Sequence, residues 1–244
     1  MSGAISFDGL FEIEGDISVT GAANLTSLSG KDLATITGDF TLDSCIFLST
    51  LGFPSLKDVA NIMWSHLSSL QVLGFTAGVT NSTSILITDT QLGNIDSINP
   101  TSPDLVNINN NNYLDSWSPQ ITSIPNLLNM DSNSPNMKVD FPDLLSAGNM
   151  TFRNISSISM PLLSSVNGTL GFYGDYLTNI SCPNITLAGV LAIIANPNLV
   201  NISMPQLAKV TDALQIANNS ALGEIYFPAL TTTGSVDATG NFSS

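Results

Sequence analysis

Residues 191–207, LAIIANPNLVNISMPQL, and residues 214–230, LQIANNSALGEIYFPAL, are two copies of one unit set 23 positions apart. Each copy opens on an apolar-x-apolar triplet (Leu191/Ile193, Leu214/Ile216) and continues with Leu-x-x-Ile (Leu199/Ile202, Leu222/Ile225). Each ends on apolar-Pro-x-Leu (Met204-Pro205-Gln206-Leu207, Phe227-Pro228-Ala229-Leu230). Side chains alternate between the two faces of a strand, so the triplet is a short strand with one buried face. Leu-x-x-Ile buries two residues on a second side. Proline lacks the N–H that a ladder needs and fixes its own φ, so it belongs at a corner rather than inside a sheet.

The unit extends in both directions. Apolar pairs recur every 20 to 23 residues at Ile17/Val19, Phe40/Leu42, Ile62/Trp64, Ile85/Ile87, Val106/Ile108, Leu128/Met130, Met150/Phe152, Leu170/Phe172, Leu191/Ile193, Leu214/Ile216 and Val236/Ala238. We number these coils 1 to 11. In a chain that is 43% apolar, pairs whose phase is chosen step by step carry little weight alone. Their companions decide the matter. Leu25/Leu28, Leu48/Leu51, Leu92/Ile95 and Leu177/Ile180 repeat the second motif, and Phe53-Pro54-Ser55-Leu56, Phe141-Pro142-Asp143-Leu144, Met160-Pro161-Leu162-Leu163 and Cys182-Pro183-Asn184-Ile185 the third. Three motifs in constant order at a fixed period mean stacked copies of one supersecondary unit.

The expected fold is all-β: a right-handed parallel β-solenoid of about eleven coils of about 22 residues. It forms a single domain over residues 1–244, its coils leucine-rich-repeat-like. At about 4.8 Å per step the stack is roughly 50 Å long. Asn or Gly after the strand (Asn110, Asn154, Asn218, Gly174, Gly240) is expected to turn the chain, and Gly or Asp before it (Gly15, Gly38, Gly168, Gly189, Asp212, Gly234) to close the coil. Trp64, Phe152 and Phe172 are expected to stack in the core. Cys45 and Cys182 fall six coils apart, roughly 29 Å by strand spacing against the ~7 Å a disulfide spans, so both are expected as free buried thiols. The first and last strands have no polar cap beside them, and the chain is expected to be a fragment of a longer protein.

Composition excludes several classes. The net charge is −14, with five Lys and Arg against 19 Asp and Glu. No basic patch exists to neutralise phosphates, which argues against nucleic acid and anionic lipid. No apolar run reaches the 18 or so residues of a membrane-spanning helix, and residues 1–10 lack the basic and apolar regions of a secretory signal.

The outward strand positions are Ser18, Thr41, Met63, Leu86, Asn107, Asn129, Thr151, Gly171, Ala192, Gln215 and Asp237. They form a flat, neutral face. Met63, Leu86, Asn107, Asn129 and Thr151 are its candidate ligand residues, suited to an extended glucan or a partner protein; the plainer alternative is an ordinary sheet face. Asp16 and Asp39 share a column about 5 Å apart, the separation of a retaining glycosidase pair. No His, Arg or Tyr supports them, and solvated strand starts are expected instead. His66 is the only histidine and is expected to be a lone surface residue, since a catalytic triad or zinc site needs more partners. A polysaccharide-acting β-helix enzyme needs clustered Asp or Arg/Lys on the strand face. This face is neutral, so no enzyme, cofactor or metal is expected. Ten Asn-x-Ser/Thr sequons stand at Asn24, Asn81, Asn149, Asn154, Asn167, Asn179, Asn184, Asn201, Asn218 and Asn241. They are N-glycosylation acceptors if the chain is secreted. Asn179 and Asn201, between the buried residues of Leu-x-x-Ile, should point outward. Asn154 and Asn218 sit in the post-strand turn, where an amide can bond the next coil's backbone instead.

The stretch Val106-Asn107-Ile108-Asn109-Asn110-Asn111-Asn112-Tyr113-Leu114 resembles a segment of the fungal GPI-anchored cell-wall-organisation glycoproteins, the yeast extracellular-mutant and sporulation-specific type. Asn149-Met150-Thr151-Phe152-Arg153, Ser157-Ile158-Ser159 and Thr239-Gly240-Asn241-Phe242-Ser243 resemble it too. The resemblance covers essentially the whole chain at matching spacing. It implies a receptor-L-domain-like solenoid, secretion, N-glycosylation and a place at the plasma membrane or wall. It further implies a non-enzymatic role in cell-wall organisation and integrity, with a glucan-binding module as the alternative. The implied partners are wall polysaccharide or other wall proteins. Membrane attachment would run only through a lipid anchor, whose signal these residues do not include; the family's N-terminal signal, cysteine-bearing cap and Ser-rich stalk have no counterpart in them either.

Overall fold

The computed structural model describes residues 3–240, and no helix forms among them. One parallel sheet runs from end to end. Its strands are Glu12–Ile13, Thr35–Asp43, Asp58–Ser65, Ser84–Thr88, Leu105–Asn109, Ser123–Asp131, Ser146–Arg153, Ser165–Tyr173, Leu187–Ile194, Lys209–Ala217 and Thr232–Thr239, with Ile17–Thr20 completing coil 1. All eleven apolar pairs lie in register. Ile17 and Val19 face Phe40 and Leu42 at one end, and Leu214 and Ile216 face Val236 and Ala238 at the other. The pairs of coils 2 to 9 are buried, with Phe152 and Phe172 stacked at 5.5 Å and 20° between ring planes. Trp64 meets Phe40 and Phe75 edge to face. Val236 is exposed, because coil 11 has a neighbour on one side only, and Ile225 is exposed on the same terminal face for the same reason.

The strands are longer than three residues. Most run eight or nine residues around a bend marked by a register shift, as between Ala147 and Met150. A β-bulge kinks a strand in this way. The bend adds a further buried column: Ile36, Val59, Ile124, Ala147, Val166, Ala188 and Val210. Glycine sits at the bend because the coils touch there. A Cβ on Gly189 would stand 2.5 Å from the carbonyl oxygens of Asn167 and Gly168.

The Leu-x-x-Ile side forms three shorter parallel ladders. They run through Gly3–Ser6 to Val72–Leu73, Ser116–Trp117 to Ser157–Ser159, and Asn179–Ser181 to Glu224–Tyr226. Proline occupies the second position of a tight turn: Leu56 N–H donates to Phe53 C=O at 3.2 Å, and Leu207 N–H to Met204 C=O at 3.1 Å. Its fixed φ suits that position, and its missing N–H leaves no ladder bond open. Both cysteines are free and buried, and burial pushes the Cys182 thiol up to about 12.

Every coil places one left-handed residue two positions after its second strand apolar. These are Gly21, Ser44, His66, Asp89, Asn110, Ser132, Asn154, Gly174, Ala195, Asn218 and Gly240. Asn and Gly adopt this conformation with little penalty. Ser44, His66, Asp89, Ser132 and Ala195 are held in it by the stack: Ala195 N–H donates to Ala217 C=O at 2.9 Å, and Ser44 N–H to Ser65 C=O at 3.2 Å.

One residue further on, the core carries a polar column: Thr90, Asn111, Asn133, Asp175, Asn196 and Asn219 are all buried. Each asparagine does two jobs. Its Oδ1 accepts the N–H of the equivalent residue one coil earlier: Thr90 to Asn111 at 3.1 Å, Asn111 to Asn133 at 3.2 Å, Asp175 to Asn196 at 2.8 Å and Asn196 to Asn219 at 2.9 Å. Its Nδ2 donates to the carbonyl of the second strand apolar of the preceding coil: Asn111 to Ile87, Asn133 to Ile108, Asn196 to Phe172 and Asn219 to Ile193, at 2.8–3.1 Å. Backbone groups turned inward at the corner are thereby paired. Asn154 and Asn218, for which the sequence leaves open either a laddered amide or a glycan acceptor, lie one position before the ladder: the laddered amides are those of the following residue's column.

Candidate functional site

The neutral strand face is only partly as expected. Met63 and Leu86 pair directly and, with Thr41, Ser65 and Thr88, border a shallow pocket of about 170 Å³. Asn129 Nδ2 donates to Asn107 Oδ1 at 2.8 Å, and Asn109 Nδ2 donates to the same oxygen at 2.9 Å. Thr151 stands beside Asn129. The face then closes. Gly171 and Ala192, expected outside, are buried: the Tyr173 ring folds back over Gly171, and the Arg153 guanidinium lies 5.0 Å from the centre of that ring. Arg153 also pairs with Asp131 at 3.4 Å. The candidate ligand face therefore spans coils 3 to 7, with a polar, internally bonded half and a small apolar half.

The carboxylates at the strand starts hold the backbone. Asp16 Oδ1 accepts the Asp39 N–H at 2.7 Å, and Asp39 Oδ1 accepts from Asn61 Nδ2 at 2.7 Å. Each acid is thus tied to the next coil.

His66 is not alone. Its Nδ1 lies 2.8 Å from Asp43 Oδ1 and its Nε2 3.7 Å from Asp89 Oδ2. Asp43 lies one position after its coil's second apolar, whereas His66 and Asp89 lie two positions after theirs, so a column-by-column reading does not bring them together. Hydrogen bonds from Ser65 and His66 hold the Asp43 carboxyl down to about 2, while the bond to Asp43 raises His66 above its ordinary 6.5. The signs follow. The histidine contribution is full below 6.5 and is lost as pH rises through the raised value; the Asp43 contribution is present above 3.8 and fades as pH falls toward about 2. The pair is therefore strongest between about 4 and 6.5, and weak in stability because both groups meet water. Titration of His66 by NMR should give a midpoint above 6.5 that returns toward it in Asp43→Asn. An unchanged midpoint would mean that the contact does not form in solution.

Of the sequon asparagines other than Asn241, which lies outside the described residues, Asn149 and Asn167 lie within long strands, Asn179 and Asn201 start strands of a short ladder, and Asn24, Asn81, Asn154, Asn184 and Asn218 sit in turns or loops. Asn24, Asn81, Asn149, Asn167, Asn179, Asn184 and Asn218 are exposed; Asn154 and Asn201 are half-buried. Asn81 bonds Asp58, Asn149 accepts the Thr169 N–H, and Asn184 donates to the Pro161 carbonyl. Asn179 and Asn201 are direct ladder partners.

These features define a class: a parallel β-solenoid with leucine-rich-like coils, whose charged groups mainly tie one coil to the next. The chain is a homologue of the fungal Ecm33 and sporulation-specific proteins, the family that its Asn-rich strand resembles. It is 39% identical to the protein ecm33 of Aspergillus fumigatus, over 99% of this chain and 61% of that protein. It is 39% identical to a cell surface GPI-anchored protein of Arthroderma benhamiae, over 98% of this chain and 62% of that protein. Sporulation-specific protein 2 of Saccharomyces cerevisiae matches at 32% identity, over 91% of this chain and 45% of that protein. The chain thus spans about three-fifths of the first two relatives and under half of the third. No family model matches the chain. No solved structure matches it either.

Proposed function

We propose that this chain is the solenoid part of a fungal cell-surface glycoprotein that supports cell-wall organisation and integrity without catalysing a reaction. The observation that carries this reading is the extent of the likeness: relatives named ecm33 and cell surface GPI-anchored protein align over every coil. The geometry agrees with it. Asp16 and Asp39, the carboxylate pair at the strand starts, bond the backbone or an amide of the next coil. In this reading the rod acts by presenting glycans and the Met63-to-Thr151 face to wall material.

The test uses a fungal strain lacking the full-length protein. Sensitivity to a wall-binding dye should rise, and re-expression should restore resistance. Protein recovered from that strain should sit at the cell surface and shift on a gel after N-glycanase treatment. Asn179 and Asn201 begin about one strand spacing, roughly 5 Å, apart, too close for two core glycans. Removing both sequons should therefore abolish one glycan's worth of mass rather than two. Unaltered dye sensitivity would overturn the wall role, and an absent shift would overturn the glycoprotein. Release of reducing sugar from wall glucan, lost in Asp39→Asn, would overturn the non-enzymatic reading.

A further inference from the structure

Asp175 occupies the buried polar column at coil 8, where the other buried polar members are asparagine or threonine. It performs half of the asparagine role. Its Oδ1 accepts the Ile155 N–H at 2.8 Å, and its own N–H donates to Asn196 Oδ1 at 2.8 Å. The other half is donation from Nδ2 to the carbonyl of the second strand apolar of the preceding coil, which by register is that of Phe152. At Asp175 the atom replacing Nδ2 is Oδ2, which is buried and has no hydrogen-bond partner. An ionised carboxylate has only lone pairs to set against a carbonyl, and a buried polar atom left unpaired is strongly penalised. A protonated carboxyl has an O–H where asparagine has an N–H.

We propose that Asp175 is carried as a neutral carboxylic acid in the folded protein, donating from Oδ2 to the Phe152 carbonyl, and that this proton makes the junction of coils 7 and 8 a pH-sensitive joint in the rod. The charges around the site are few. Ile155 and Asn196, its partners within the column, carry none. Arg153 favours ionisation, but its guanidinium is engaged outside the core with Asp131 and the Tyr173 ring. Asp131 disfavours ionisation, as does burial, which is the dominant effect and outweighs hydrogen bonds from the Ile155 and Tyr173 backbone; together they push the carboxyl up to about 7 from its ordinary 3.8.

The sign is fixed by linkage. Between about 4 and about 7 the folded protein holds a proton that the unfolded chain has released, so stability falls as pH rises through that window and levels off above it. A single such proton raises the unfolding equilibrium constant by up to about tenfold per pH unit.

The test compares the wild-type chain with Asp175→Asn in urea unfolding at pH 5, 6, 7 and 8. Asparagine supplies the donor at every pH. The ratio of wild-type to variant unfolding constants should therefore grow at least tenfold from pH 5 to pH 8, with the variant the more stable at pH 8. In infrared spectra the folded wild type at pH 6 should show a protonated-carboxyl stretch that fades toward pH 8 and is missing from the variant. Parallel pH profiles, or no such band at pH 6, would overturn the proposal. So would failure of Asp175→Asn to fold, because asparagine should complete the column.

Discussion

Asn196→Leu should lower the stability of the solenoid by about 3–5 kcal/mol, although leucine shares asparagine's branch at Cγ and is the more apolar residue. Two buried backbone groups lose their partners at once: the Phe172 carbonyl, now served by Asn196 Nδ2 at 3.1 Å, and the Asp175 N–H, now served by Asn196 Oδ1 at 2.8 Å. Each orphaned group forfeits its full desolvation penalty of about 1–3 kcal/mol, because no water reaches a fully buried column. Burial of the new methyl groups offsets little of this, since leucine is larger than the asparagine it replaces and overpacking a closely packed column costs about 1–3 kcal/mol. Asn198→Ala, on an exposed position two residues away, is the control and should change stability by less than about 0.5 kcal/mol. Urea unfolding of the two variants decides the matter. A loss below about 1 kcal/mol for Asn196→Leu would show that the turn finds other partners and that the column is dispensable.

That column also marks where the sequence could be read and where it could not. A strand face has period two and the coil a period near 22, so the apolar pairs, together with their Leu-x-x-Ile and Pro-x-Leu companions, locate the coils and the two buried cysteines. A search for apolar periodicity is blind to a polar residue that is buried by design. Asn196 and Asn219 stand three residues after the second strand apolar, close to the position where leucine-rich repeats carry Asn or Cys, and that was the available signal. Cys45 fits the same column: its Sγ approaches the carbonyls of Val19 and Asp43 at 3.5 Å, much as Asn111 Nδ2 approaches those of Ile87 and Asn109. The left-handed turn was legible only where Asn or Gly fills it. Ser44, Ser132 and Ala195 have no intrinsic preference for it and take it because neighbouring coils hold them there. On the strand face, Gly171 is covered because Tyr173, two residues on, reaches back across it, which alternation alone does not foretell. The Asp43–His66–Asp89 contact joins residues from unlike columns, so column counting misses it.

Phe172→Ala should cost about 3–5 kcal/mol by opening a cavity in a core whose neighbours cannot collapse freely, with a further ~1 kcal/mol from the lost stacking on Phe152. In this architecture the location of the loss matters as much as its size. Each coil contacts only the coils beside it, so stability is a sum of coil terms and nearest-neighbour interfaces, and a weakened interface becomes a place for the stack to part. Phe172 lies in coil 8, whereas the two tryptophans lie in coil 3 (Trp64) and on the second side of coil 5 (Trp117), both on the N-terminal side of the break. Tryptophan fluorescence therefore reports the N-terminal coils, and far-ultraviolet circular dichroism reports the whole sheet. In the wild type the two transitions should coincide. In Phe172→Ala the dichroism should begin to fall at lower urea than the fluorescence, as coils 8 to 11 detach first. If both signals instead move together to lower urea, coupling along the rod exceeds the interface that was removed, and the eleven coils unfold as one unit.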